Sequence, residues 1–106
     1  MILIQIFKDK SGNYKKIHSE GHATKDRNSE FSLICAGVSI LLQTLHYNFR
    51  IMSNVSCETV EVGKLGFEII KVTDNTNLVF KSIFIGIENL AKSSAEITIL
   101  YKELGE

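Results

Sequence analysis

Residues 33–52 have the sequence LICAGVSILLQTLHYNFRIM, and they separate two regions whose apolar residues alternate as in β-strands. Within this stretch the apolar residues recur at intervals of three and four, which places them on one face of an α-helix. Ser32 precedes the stretch and belongs to a residue type that caps helix N-termini. We therefore expect a long amphipathic helix that begins after Ser32. Its apolar face comprises Ile34, Val38, Leu41, Leu42, Leu45, Phe49 and Met52.

Ahead of this helix, the chain predicts a β-hairpin. Residues 2–7 form an apolar run that ends at turn-forming residues, and residues 14–22 form the partner strand. Residues 24–30 are polar and lack apolar periodicity, which is typical of a surface loop. By the two-residue period of a strand, one face of the second strand carries Lys16, His18, Glu20 and His22.

Beyond the long helix, the pattern predicts a second hairpin, a second helix and a last strand. The hairpin has a four-residue connection. Turn-forming and helix-capping residues at 74–76 predict the start of the second helix. The predicted elements are strands at 57–62 and 67–72 joined by residues 63–66, a helix at 77–92, and a strand that includes Ile97, Ile99 and Tyr101.

The predicted order of elements is therefore ββαββαβ. Because each helix has a single apolar face, both helices should pack on an antiparallel or mixed sheet in an α+β fold. The length of 106 residues is that of one domain, residues 1–106. The chain is 44% hydrophobic and 23% charged, which is typical of globular domains.

Charge and hydropathy exclude several classes of function. Twelve Lys and Arg residues balance twelve Asp and Glu residues, so we expect no direct nucleic acid binding. The apolar N-terminal run leads into Lys8, Asp9 and Lys10 without a signal-peptide pattern, and no segment approaches the ~20 apolar residues of a membrane span. We therefore expect a cytoplasmic protein without membrane association.

Cys35 and Cys57 do not form a CxxC pair, which predicts free thiols and no metal or other cofactor.

Cys35 is the strongest candidate for chemistry. In the first turn of the predicted helix, unpaired N–H groups and the helix dipole would favour its thiolate. His22 ends the preceding strand, and the intervening loop can return it to the sulfur as a general base. The N–H groups of Cys35 and Ala36 would then bind the oxyanion. From the residues alone, a buried core cysteine and a hydrogen-bonded histidine remain the commoner alternatives.

Residues 21–44, GHATKDRNSEFSLICAGVSILLQT, resemble the motif of the bacterial ribosomal-processing cysteine proteases. In that family a Gly-His-Ala at a strand end is followed, after a loop, by a helix that opens Ile-Val-Cys-Ala-Ala/Gly-x-Ser. The resemblance implies that His22 and Cys35 are a catalytic dyad, with Ser39 one helical turn from the cysteine as a supporting residue. The matching positions are Gly21, His22, Ala23, Ile34, Cys35, Ala36, Gly37, Val38 and Ser39.

The resemblance also implies a function. Members of this family are homodimers that remove the N-terminal extension of a bacterial large-subunit ribosomal protein after an aromatic residue. This chain resembles such an endopeptidase, but it has Ser32 where the family usually has Asp, and its loop has no glycine between Ala23 and Cys35. The missing carboxylate leaves one alternative open, a catalytically weak or inactive homologue that acts as a ribosome-assembly binding module.

Other histidines and cysteines carry weaker hypotheses. His18, with His22, Glu20 or Cys35, lacks the compact spacing of a four-ligand metal site, so we expect no metal there. We predict that Cys57 packs as a small apolar residue at the start of a strand. For His46, on the long helix, the prediction is partial exposure.

Two further residue types bear on packing. A glycine inside a helix costs about 1 kcal/mol relative to alanine, so Gly37 indicates a close approach of a neighbour or a substrate. On the second helix, Phe80 and Phe84 are predicted to extend past the apolar face and to contribute to a homodimer contact.

Overall fold

The computed structural model describes residues 1–21 and 29–104, with side chains for residues 1–21 and 33–104. The observed order of elements is the predicted ββαββαβ, and the α+β fold is confirmed. The elements are β1 (Ile2–Lys8), β2 (Tyr14–Gly21), α1 (Ser29–Ile51), β3 (Val55–Glu61), β4 (Lys64–Ile69), α2 (Asp74–Lys92) and β5 (Ile97–Glu103).

The five strands form one mixed sheet with the order β3-β4-β2-β1-β5. Strands β1 and β5 are parallel, whereas the other neighbouring strands are antiparallel. In the β1–β2 register, Ile4 lies opposite Ser19 and Ile6 lies opposite Ile17. All four of these residues are buried, so their shared face is the one that the helices cover.

The two helices pack closely against each other as well as against the sheet. A Cβ atom on Gly37 would lie 3.2 Å from Cδ1 of Leu90, and a Cβ atom on Gly86 would lie 3.0 Å from Cδ1 of Leu41. Each helix thus accepts a leucine of the other at a glycine. The predicted close approach at Gly37 is confirmed, and the neighbour is α2.

Helix α1 begins earlier than predicted. It starts at Ser29, so Ser32 lies inside the helix and is not its N-cap. Of the loop predicted at 24–30, residues 29 and 30 therefore belong to the helix, and residues 24–28 lie outside the described part of the chain. Apolar periodicity could not locate this start, because it marks only the part of a helix that packs on a core.

The second hairpin and α2 also differ from the prediction at their ends. Strand β4 begins at Lys64, so the hairpin connection is two residues and not four. Gly63, with φ of +77°, adopts the backbone conformation that such short connections favour. The N-cap of α2 is Thr73, which forms a reciprocal capping box with Thr76, so the helix begins at Asp74.

The aromatic residues of α2 belong to the core. Phe80 and Phe84 are both fully buried, so the prediction that they extend past the apolar face is wrong. The ring of Phe80 stacks on Tyr14 with 4.5 Å between centroids. The large apolar residues that α2 exposes are Leu78 and Ile85. Within the described ranges, no helix combines the length and the apolar character that a membrane span requires.

Candidate active site

Cys35 is the seventh residue of α1 and is half-buried. The prediction that it lies in the first turn is wrong, because α1 begins at Ser29. Only the first four N–H groups of a helix lack an intrahelical acceptor, and the effect of the dipole falls off within that turn. The N–H groups of Cys35 and Ala36 are therefore too far along the helix to form the predicted oxyanion site, and Ala36 is exposed.

A recess of about 180 Å³ adjoins Cys35. Its walls come from three parts of the fold: the paired ends of β1 and β2, one face of α1, and the β3–β4 hairpin. Leu42, Val60 and Leu65 make much of the lining apolar, while Glu61 and Lys64 add one charge of each sign. The sheet and the helix thus bring Cys35 to an open, largely apolar recess.

Gly21 lies at the end of β2 and lines the same recess. Its φ is +102°, and a Cβ atom there would lie 2.2 Å from the carbonyl oxygen of Met1. Its N–H donates to the carbonyl oxygen of Gly63 at 2.9 Å, which ties the end of β2 to the β3–β4 turn. Glycine is therefore required at this position by the backbone geometry and by the adjacent chain.

His22 follows Gly21 directly and lies outside the described residues, as does the side chain of Ser32. The predicted strand alternation holds from Ile17 to Glu20, since Ile17 and Ser19 are buried while Glu20 on the other face is exposed. It fails at Tyr14, which is buried although it has the parity of Glu20, because the β1–β2 register shifts between Phe7 and Lys8. The positive φ of Gly21 interrupts that alternation just before His22. The pairing of His22 with Cys35 remains a prediction.

Ser39 lies one helical turn after Cys35 and lines the recess, as expected of a residue four positions along the same helix face. Its hydroxyl oxygen accepts a hydrogen bond of 2.9 Å from Nε2 of Gln43, one turn further along. Cys35, Ser39 and Gln43 therefore form a row on the side of α1 that faces the recess.

A second recess, of about 470 Å³, lies further along α1 towards its C-terminus. Ile40, Tyr47 and Val60 line it, and all three are more than 60% exposed. The sequence pattern does not locate this recess. Ile40 and Tyr47 did carry a signal, because both are apolar residues of α1 that fall outside its apolar face.

His46 and Cys57 both differ from their predictions, and both lie at a β-bulge in β3 between Ser56 and Thr59 or in contact with it. The bulge turns Glu58 towards α1, where its Oε1 lies 2.6 Å from Nε2 of His46. His46 is buried and not partly exposed, and its ring packs against Phe67 with 5.3 Å between centroids. Cys57 lies in the bulge with φ of +52° and is exposed, so it does not pack as a core residue.

In the part of the chain that the structure describes, no group of three or more His, Cys, Asp or Glu residues is placed to bind a metal ion. Nε2 of His18 lies 3.7 Å from a carboxylate oxygen of Glu20 on the same strand.

The chain is similar to a family and to several solved structures. The family model described as cysteine protease Prp matches residues 1–98. The crystal structure of SMU.848 from Streptococcus mutans has 25% sequence identity and a TM-score of 0.78, covering 98% of this chain and 96% of that one. No curated protein matched the sequence.

Two similar structures contain peptides. The ribosomal processing protease Prp from S. aureus, in complex with a substrate peptide, has 16% identity and a TM-score of 0.81 over 96% of this chain and 100% of that one. The same protease with a covalently linked product peptide has 16% identity and a TM-score of 0.76 over the same shares. At this identity the two structures support the fold. Because the family model spans residues 1–98, the chain belongs to the Prp family of cysteine proteases and is a cysteine peptidase.

Proposed function

We propose that this peptidase removes the N-terminal extension of a bacterial large-subunit ribosomal protein, with Cys35 as nucleophile and His22 as general base. One observation carries the proposal: Cys35 borders an apolar recess whose lining includes Gly21, the residue just before His22. The similar S. aureus protein, a ribosomal processing protease with a bound substrate peptide, supports the choice of substrate.

In the proposed reaction, the imidazole of His22 accepts the proton of the Cys35 thiol, and the thiolate attacks the carbonyl carbon of the scissile bond. The imidazolium then gives its proton to the leaving amine as the C–N bond breaks, which leaves a thioester on Cys35. Water, deprotonated by the same imidazole, hydrolyses the thioester and restores the thiol. Since Cys35 lies in the second turn of α1, its thiolate depends on the imidazolium and not on the helix N-terminus.

The recess suits an aromatic side chain of the peptide. Its volume is about 180 Å³, whereas a dry cavity of about 150 Å³ accommodates benzene. Leu42, Val60 and Leu65 supply apolar contacts. An aromatic residue held there would bring the following peptide bond to the sulfur of Cys35.

We further propose that the protein acts in the cytoplasm as a homodimer. The support for a dimer is the apolar surface that the described residues expose. Leu78 and Ile85 are exposed on α2, and Val62, at the β3–β4 turn, is 95% exposed. A dimer that buried these residues would elute at twice the monomer mass in size-exclusion chromatography with light scattering.

The dyad is tested with three variants and a fluorogenic peptide that has Phe before the scissile bond. Cys35→Ala and His22→Ala should each abolish cleavage, because each removes half of one nucleophile–base unit. Cys57→Ala is the matched control: it removes the other thiol, which is exposed on β3, and should leave turnover nearly unchanged. Circular dichroism would verify that all three variants fold. Equal losses in all three would contradict the assignment, and an inactive wild-type protein that still binds the peptide would favour the binding-module alternative.

A further inference from the structure

The recess beside Cys35 does not end at Gln43. Gln43, Val60 and Leu65 line both this recess and the second recess, so the two adjoin, and we refer to them together as the groove between α1 and β3. The groove exists because the two helices leave the edge strand β3 uncovered on this side, which is why Val60 is 64% exposed.

We propose that the second recess binds a second apolar side chain of the substrate peptide, about four to five residues from the bond that is cleaved. The carboxamide of Gln43 holds the peptide backbone at the junction. This inference rests on the proposed peptidase function and adds to it a second determinant of specificity.

The lining of the second recess indicates what it binds. Ile40 is 63% exposed, and Tyr47 and Val60 are each 64% exposed. Single exposed apolar residues are common, but three that line one concavity form a patch of the kind that marks a binding site. Thr44, His46 and the charged Arg50 also line it. The Thr44 hydroxyl donates to the carbonyl oxygen of Ile40 at 2.8 Å, and Nε2 of His46 and Nε of Arg50 lie 2.6 and 3.7 Å from Oε1 of Glu58, so these polar groups already have partners. An apolar side chain from an extended peptide fits this arrangement better than a charged one.

Gln43 is suited to hold the backbone between the two recesses. Its Nε2 donates to the hydroxyl of Ser39, which fixes the orientation of the amide. Among the residues that the structure describes, none donates a hydrogen bond to the Oε1 of Gln43. With respect to those residues, the oxygen is open to accept a peptide N–H from the groove. Ser39 thereby gains a role as the residue that positions Gln43.

The spacing follows from helix geometry. Gln43 and Tyr47 lie eight and twelve residues after Cys35, which corresponds to roughly 12–18 Å along the helix axis. An extended peptide advances by roughly 3.3 Å per residue. A side chain in the second recess therefore belongs to a residue about four to five positions from the one beside Cys35.

The experiment uses fluorogenic peptides with Phe before the scissile bond. A short peptide has two residues on each side of that bond, and two longer ones extend by six residues at the N-terminal or the C-terminal end. Each extension carries Leu four or five residues from the bond, and a matched peptide carries Ser there. In one of the two extensions, replacing Leu by Ser should lower kcat/KM roughly tenfold, mainly through KM.

The variant Ile40→Ser should remove most of the preference for Leu over Ser. Ile51→Ser is its control, because Ile51 lies on the same helix and is 65% exposed, against 63% for Ile40. The control should keep the preference. Gln43→Ala should raise KM for the preferred long peptide and leave KM for the short peptide less affected.

Two results would overturn the inference while leaving the proposed function intact. One is cleavage of the short and long peptides with no preference for Leu in either extension. The other is an equal loss of preference in Ile40→Ser and Ile51→Ser. If the wild-type protein cleaves none of the peptides, including the short one, the proposed function fails and this inference fails with it.

Discussion

Replacing Gly21 by alanine tests whether the backbone next to His22 shapes the site. Gly21 has φ of +102°, and an added Cβ atom would lie 2.2 Å from the carbonyl oxygen of Met1. Gly12 is the matched control: its φ is +83°, but a Cβ atom there would have no neighbour within 4 Å. Both substitutions strain the backbone, and only Gly21→Ala also creates a clash.

Two contributions set the expected loss of stability. A positive φ costs a non-glycine residue about 1–2 kcal/mol, and this applies to both variants. Relieving the clash requires Met1 to move. That movement would weaken the bond from the N–H of Ile2 to the carbonyl oxygen of Glu96, at 2.6 Å, and the pairing of the terminal amine with the Glu96 carboxylate, at 3.3 Å. Together these add about 1–2 kcal/mol. We expect a loss of about 2–4 kcal/mol for Gly21→Ala and about 1–2 kcal/mol for Gly12→Ala.

Urea unfolding followed by circular dichroism would measure both losses. Cleavage of the Phe peptide should separate the variants further, since Gly21 lines the recess and precedes His22, whereas Gly12 lies in the β1–β2 turn. We expect a larger fall in kcat for Gly21→Ala at equal folded fraction. Equal losses of stability and of activity in the two variants would contradict the clash at Gly21.

Three other perturbations have defined outcomes. Ser32→Asp should raise the cleavage rate by orienting the imidazole. Its stability should be unchanged or slightly higher, because Asp is favourable in the first turn of a helix. A cleavage rate below that of the wild type across the pH–rate profile would argue that the site is built around serine. In urea unfolding, Gly37→Ala should leave the protein more stable than Gly86→Ala does. Both variants gain about 1 kcal/mol of helix propensity, but the added Cβ meets one atom of Leu90 at 3.2 Å in the first case and three atoms of Leu41, from 3.0 Å, in the second; the opposite order would contradict this packing. Burial, with the hydrogen bond to Glu88 and its charge, raises the pKa of Tyr101, so its contribution to stability is present below about pH 10 and is lost as the pH rises further. The free energy of unfolding of Tyr101→Phe should therefore fall less steeply than that of the wild type as the pH rises above 10, as measured by urea midpoints. Identical pH profiles of the two proteins would rule this out.

The candidate site was only partly predictable. Cys35, Gly21 and Ser39 were identified from the motif, and all three line one recess. The placement of Cys35 in the first turn was wrong because a helix can begin in polar sequence, ahead of its first packed residue. His46 was also mispredicted, since its ring packs against Phe67 of β4 and lies 2.6 Å from Glu58 of the β3 bulge, contacts that no local pattern indicates.

The sequence alone determined the order of elements, the α+β class and the residues of the motif. These depend on local periodicity and residue type, which the chain carries along its length. Three features depend on the tertiary structure: the parallel pairing of β1 with β5, the two glycine–leucine contacts between the helices, and the groove from Cys35 past Gln43. Each of these joins residues that are distant in sequence. The groove in particular exists because two helices cover only part of a five-stranded sheet, and no local pattern records which strand remains uncovered.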